Sequence, residues 1–130
     1  MTAASSDRDG CRREGDIIAV DAGTNTIYAD TIVVADSGKA KAGVSGKAVL
    51  GVAVEGTGDV DGSTIRIWTK GVFEFNIASY SAANLGAAVK VSDDQTVALA
   101  TEGTDPASQI VGYIVAGDAT AKTVNVRLGA

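Results

Sequence analysis

A short apolar pattern with a glycine in third place occurs twice in the chain. Residues 49–54 read VLGVAV, and residues 110–115 read IVGYIV. A second match follows each copy in the same order, since residues 64–67 (TIRI) correspond to residues 123–126 (TVNV). Short apolar runs rich in β-branched residues are typical of buried strands, and alternating runs are typical of strands with one buried face. The repeat therefore predicts two β-hairpins built on one plan.

The repeat extends beyond the hairpins. Residues 71–75 stand where residues 15–19 stood, residues 88–91 echo residues 32–34, and residues 97–99 take the place of residues 40–41. We interpret the chain as two tandem units, 15–70 and 71–130, that form a single β domain over residues 15–130. A unit of this size with one apolar face is marginal by itself, so we expect the two units to close over one shared core.

The composition agrees with short strands joined by glycine turns. Hydrophobic residues make up 45% of the chain, only 5% is aromatic, and 16 of the 130 residues are glycine. We predict an all-β fold, a small barrel or sandwich of short, mainly antiparallel strands. Helix is expected for at most one or two short turns, at residues 79–85 and 105–108, where Ser and Asp-Pro supply helix-start signals. No apolar run approaches the length of a membrane span, and the N-terminal residues do not resemble a secretory signal, so we expect no membrane partner.

Residues 1–14 are polar and small, and we expect them to form a flexible N-terminal arm. The arm contains Arg12 and Arg13, which are candidate partner contacts, and the single cysteine, Cys11, which we interpret as a bystander thiol. The formal net charge of the chain is −5. Affinity for a phosphate backbone comes from clustered Lys and Arg, so this balance argues against a nucleic-acid partner.

The sequence offers little for catalysis. Histidine is absent and cysteine occurs once, which removes the usual general base and the His- or thiolate-based metal sites. We therefore expect no enzyme activity, no cofactor and no metal site. Gly46 and Lys47 suggest a phosphate loop. That motif needs glycine at position 41, where the chain has Lys41, and Ser or Thr at position 48, where it has Ala48. The run 55–62 (EGTGDVDG) lacks the third glycine of a dinucleotide motif and the late acidic ligand of a calcium loop, and it predicts a hairpin turn.

One strand carries the main candidate for a partner contact. Residues 64–69 alternate strictly, so Ile65 and Ile67 share a buried face while Arg66 and Trp68 share the opposite face. A large aromatic residue on an outer face is a candidate contact. The alternative is that Trp68 lies under a loop of its own domain. In the second copy, Arg127 occupies the place of Trp68.

Several short motifs, in their order and spacing, resemble the capsid cement, or decoration, proteins of tailed phages. They are residues 14–16 (EGD), the VLGVAV strand, residues 69–74 (TKGVFE), residues 86–91 (GAAVKV) and the C-terminal IVG…VNVRL, spanning about residues 14–130. The resemblance implies a small all-β virion protein that binds the outer capsid surface. It also implies homotrimers at three-fold and quasi-three-fold positions that clamp neighbouring major capsid subunits. The recombinase-like label that this family often carries gains no support from the residues.

Other functions stay open at this point. A carbohydrate- or host-surface-binding β-module displayed on a virion would need aromatic platforms, and the chain has one Trp and three Tyr. A tail or spike component is a further alternative, because a β-rich fold alone does not separate it from a cement protein.

Overall fold

The computed structural model describes residues 17–56, 63–101 and 103–128. Within these ranges the fold is all-β, as predicted, and helix is confined to two 3₁₀ turns at Ala82–Asn84 and Ala107–Gln109. The strands β1–β10 run in chain order: Ile17–Gly23, Ile32–Asp36, Lys39–Ala42, Val49–Ala53, Ser63–Trp68, Val72–Ile77, Ala88–Val91, Thr96–Leu99, Ile110–Asp118 and Thr123–Leu128. The helical turns fall inside or beside the segments expected from sequence. The arm, with Arg12, Arg13 and Cys11, and the hairpin turn over 57–62 lie outside the described residues.

The strands form two sheets, each from one half of the chain. The first, which we call the open sheet, has the order β1-β5-β4-β2-β3. The second is a closed barrel with the order β10-β6-β8-β7-β9. All ladders are antiparallel except the one between β6 and β8, which is parallel. The structure confirms the predicted barrel for the second half of the chain, and the first half forms a separate five-stranded sheet.

The two sheets share one connectivity. Counted from its own first strand, each runs first, fifth, fourth, second, third. The two sheets also have a β-bulge at equivalent positions. In the open sheet it lies between Val33 and Val34, where β2 pairs with β4, and in the barrel between Val89 and Lys90, where β7 pairs with β9. Bulges redirect a strand and increase its local twist. The paired bulges therefore curve both sheets at equivalent points.

Closure is where the two sheets differ. In the barrel, Asn76 and Ile77 of β6 pair with Thr96 and Val97 of β8. No ladder joins β1 to β3 among the described residues of the open sheet. There the edges are joined by side chains, since Lys39 forms an ion pair with Asp21, and Asn25 Nδ2 donates to the Ala40 carbonyl oxygen over 2.8 Å. Side chains thus bridge the two edges of the open sheet.

Buried apolar residues form two clusters. The open-sheet cluster belongs to the first half of the chain and consists of Ala22, Ile27, Val33, Ala40, Ala53, Ile65 and Ile67. The shared cluster joins Ile32, Val34 and Val52 of the open sheet to the barrel residues Phe75, Ile77, Val89, Val91, Val97, Val111, Ile114, Val124, Val126 and Leu128. One shared core was expected, and the structure adds a second cluster that is formed by residues of the first unit alone. No helix of the described residues is long and apolar enough to cross a membrane.

Candidate partner-contact surface

Arg66 lies on the exposed face of β5, as the alternation predicts. Its side chain is 56% exposed, and Nη2 is 2.6 Å from Glu55 Oε1. This hydrogen-bonded pair raises the pKa of Arg66 and lowers the pKa of Glu55. The carboxylate of Glu55 fixes the guanidinium through these hydrogen bonds, so a partner would meet an oriented ion pair rather than a lone cation.

Trp68 lies two positions further along the same strand, but its surroundings differ. It is half-buried and packs against the shared cluster. The ring therefore covers the junction between the open sheet and the barrel. Its partner role stays a prediction, and Arg12 and Arg13 lie outside the described residues. The two candidates within the described residues, Arg66 and Trp68, lie on one face of β5.

Arg127, the counterpart of Trp68, is exposed on β10 and pairs with Val72 of β6, whose side chain is 54% exposed. Among the described residues, the large apolar residues with the highest exposed fractions lie elsewhere: Tyr28 at 66% and Leu85 at 60%. Both lie in segments between strands, where no periodicity marks a side chain as outward. Single exposed apolar residues of this kind are normal on a soluble surface.

Sequence reasoning missed a groove on the barrel. It lies where the start of β7, the segment after β8 and the start of β9 meet, and its volume is about 570 Å³. Its walls are mostly small and apolar, and include Ala87, Ala88, Ala100, Ala107, Ile110 and Tyr113. The longer connection after β8 in the second unit was visible in the sequence, but the three segments are distant in the chain and only the barrel brings them together.

Asp105 fixes one wall of this groove. Its carboxylate accepts a hydrogen bond from the Thr101 backbone N–H over 2.6 Å and one from Lys90 Nζ over 3.1 Å. The backbone bond, followed by the lysine, holds the pKa of Asp105 below its ordinary value. The side chain is 13% exposed. The carboxylate therefore ties the segment after β8 back to its own start and to β7.

We expect Asp105→Asn to weaken the acid dependence of stability. A carboxyl whose pKa is lowered on folding stabilises the fold above its unfolded-state pKa, and that contribution disappears as pH falls through the folded-state value. Unfolding of the unmodified protein should therefore become easier below about pH 4, with little change between about pH 5 and 7 because the chain has no histidine. Asn keeps an acceptor for Thr101 but loses the charge.

Urea unfolding at pH 7, 5 and 3 measures this effect. The stability difference between Asp105→Asn and the unmodified protein should be larger at pH 7 than at pH 3. Glu74→Gln, which changes an exposed carboxylate on β6 away from the groove, is the control. Equal acid-induced losses in Asp105→Asn and the unmodified protein would contradict the role given to Asp105.

The described residues contain no group of three His, Cys, Asp or Glu side chains placed to hold a metal ion. What the described surface offers is contact chemistry: an oriented Arg–Glu pair on the open sheet and a groove of small residues on the barrel.

No protein-family model and no curated protein matches the chain. Among solved structures, the fold is similar to the N base of the head fiber gp8.5 of bacteriophage phi29, with a TM-score of 0.48 and 13% sequence identity. The match covers 87% of this chain and 94% of that one.

Proposed function

We propose that this chain is a structural virion protein that binds the outer surface of a phage capsid and stabilises it by clamping neighbouring major capsid subunits. The proposal places homotrimers at three-fold and quasi-three-fold positions. It involves no catalytic step, cofactor, nucleic acid or membrane. The observation that carries it is the ordered set of motifs over about residues 14–130 that resembles capsid cement proteins.

The packing of the two sheets supports a mechanical role. A clamp has to transmit load between its contact points without yielding internally. Here the sheets are joined by the shared cluster and by backbone contacts, since the Ile32 N–H donates to the Asp94 carbonyl oxygen over 2.7 Å and Val44 forms a bridge with Asp93. Close-packed interiors have low compressibility and transmit strain. Several weak contacts presented by one trimer would also gain from effective concentration.

Sedimentation with capsids tests the proposal. Purified protein is mixed with expanded, undecorated capsids of the phage that encodes it, and bound protein is quantified in the pellet. We expect saturable binding near three copies per three-fold site, and a higher temperature for capsid disruption. Absence of co-sedimentation at saturating protein would refute capsid binding.

Arg66→Ala, with Glu55→Ala as its matched partner variant, then tests the candidate surface. If Arg66 contacts the capsid, Arg66→Ala should weaken binding severalfold, whereas Glu55→Ala keeps the guanidinium and should weaken it less. Removal of residues 1–13 tests Arg12 and Arg13 separately. Unchanged occupancy after that deletion would exclude them as contacts.

A further inference from the structure

A turn of the barrel docks into the open sheet. The turn after β7 places Asp93 and Asp94 against the open sheet, where Ile32 N–H donates to the Asp94 carbonyl oxygen and Val44 bridges Asp93. Gly43 forms the floor, since a Cβ built on it would lie 3.1 Å from the Asp93 carbonyl oxygen and the Asp94 Cα. The backbone of the turn therefore rests almost directly on the Gly43 backbone.

The barrel has a counterpart of this docking site. The Gly43 N–H donates to the Ile32 carbonyl oxygen over 2.8 Å, and in the barrel the Ala100 N–H donates to the Ala88 carbonyl oxygen over 3.0 Å. Ala88 thus corresponds to Ile32 and Ala100 to Gly43, as the shared strand order requires. Ala88, Ala100 and the next residue, Thr101, all line the groove. The groove occupies the place where, in the open sheet, the turn is docked.

The same correspondence identifies what would fill the groove. The turn after β7 corresponds to the turn after β2, which contains Ser37 and Gly38. Both residues are exposed, and nothing lies within 4 Å of a Cβ built on Gly38. This turn has two residues between its strands where its counterpart has four, and it carries glycine where its counterpart carries aspartate. The groove floor has Ala100 where the docking site in the open sheet has Gly43. A shorter turn thus faces a floor with a larger side chain.

We propose that the groove binds the β2–β3 turn of a second copy of this chain. The contact repeats between molecules the docking that already joins the two units within one molecule. It is heterologous, because the turn lies on the open sheet and the groove on the barrel, so successive copies associate head to tail and form a ring when the rotation between them closes. The inference concerns self-association of the isolated protein and does not rest on capsid binding.

Cysteine cross-linking between different copies tests the contact. In a Cys11→Ser background, one protein carries Ser37→Cys in the turn, and a second, tagged protein carries Ala107→Cys at the rim of the groove. Mild oxidation of the mixture should give a mixed disulfide between them. The matched control replaces Ala107→Cys by Thr120→Cys, in the exposed turn between β9 and β10. Cross-linking no stronger than with Thr120→Cys would overturn the proposal.

Blocking the groove gives an independent measurement. Sedimentation velocity of the unmodified protein up to about 100 µM, a range that detects weak contacts, should show concentration-dependent association. Ala107→Arg should sediment as a monomer, whereas Ala121→Arg, an exposed substitution in the β9–β10 turn, should behave as the unmodified protein. Unchanged fluorescence of Trp68, the single tryptophan, shows that each variant is folded.

A monomeric unmodified protein, or an Ala107→Arg protein that still associates, would overturn the inference. Capsid binding by such a protein would leave the proposed function intact, so the two failures are distinguishable.

Discussion

Replacing Gly51 by alanine is expected to lower the free energy of unfolding by about 4 kcal/mol or more, or to prevent folding. A Cβ at this position would overlap the carbonyl oxygen of Trp68 on the neighbouring strand and would lie 2.7 Å from Ile67 Cγ2. The backbone also has φ +153°, a conformation that side chains other than glycine rarely adopt. Relief would require β4 and β5 to separate at Gly51.

Two further glycine variants separate these causes. Gly112 is the counterpart of Gly51, and a Cβ there would overlap the carbonyl oxygen of Arg127, the counterpart of Trp68, without a positive φ. Gly112→Ala should cost about 3 kcal/mol. Gly46 has φ +87° with nothing within 4 Å of its Cβ position, so Gly46→Ala should cost about 1 kcal/mol.

Urea unfolding followed by Trp68 fluorescence and by far-UV circular dichroism measures all three variants. The expected order of destabilisation is Gly51, Gly112, Gly46. A Gly112→Ala protein as stable as Gly46→Ala would show that β9 and β10 can separate at Gly112 at little cost, contrary to the close backbone contact described.

Trp68→Ala is expected to be the next most damaging change, with a loss of about 2–4 kcal/mol. The indole packs against the shared cluster, which contains residues of both sheets, so truncation removes packing from that cluster. Arg66→Ala, on the same face of the same strand, changes an exposed side chain with 56% accessibility and should alter stability little. Trp68→Phe should recover much of the loss because an aromatic ring remains.

Circular dichroism melts and amide hydrogen exchange check this expectation. Faster exchange should appear in both sheets of Trp68→Ala, next to the junction. A Trp68→Ala protein as stable as Arg66→Ala would mean that the indole contributes little to the fold, and would strengthen its candidacy as a partner contact.

Much of the architecture could be predicted because it depends on local sequence patterns, such as the alternation of apolar residues along a strand. Strict alternation in β5 predicted that Ile65 and Ile67 are buried, and both are fully buried in the open-sheet cluster. The glycine shared by residues 49–54 and 110–115 was visible as a match. The reason for the shared glycine was not visible in the sequence, because the carbonyl oxygen that each glycine faces belongs to a strand many residues away. The all-β class likewise followed from short runs and turn residues.

The candidate site was less predictable because it depends on how the two sheets are placed. Alternation put Trp68 on the outer face of β5 correctly, but only the docked barrel makes that part of the face a packed junction. The groove arises from segments around Ala88, Ala100 and Ala107, none of which carries a polar or aromatic signal by itself. The ion pair between the edges of the open sheet could not be predicted from the sequence pattern either, because Asp21 and Lys39 look like ordinary charged residues beside turns.

The division of the chain into two sheets has a consequence for biosynthesis. Ile32, Val34 and Val52 leave the ribosome with the open sheet, yet the residues that cover them belong to the barrel and are translated later. At about 5–20 residues per second, synthesis of the barrel takes several seconds more. During that interval the nascent open sheet presents an apolar face without its cover. Reversing the order of the two units in the gene would let the closed barrel emerge first, and a higher yield of soluble protein from that arrangement would show that this interval limits folding in the cell.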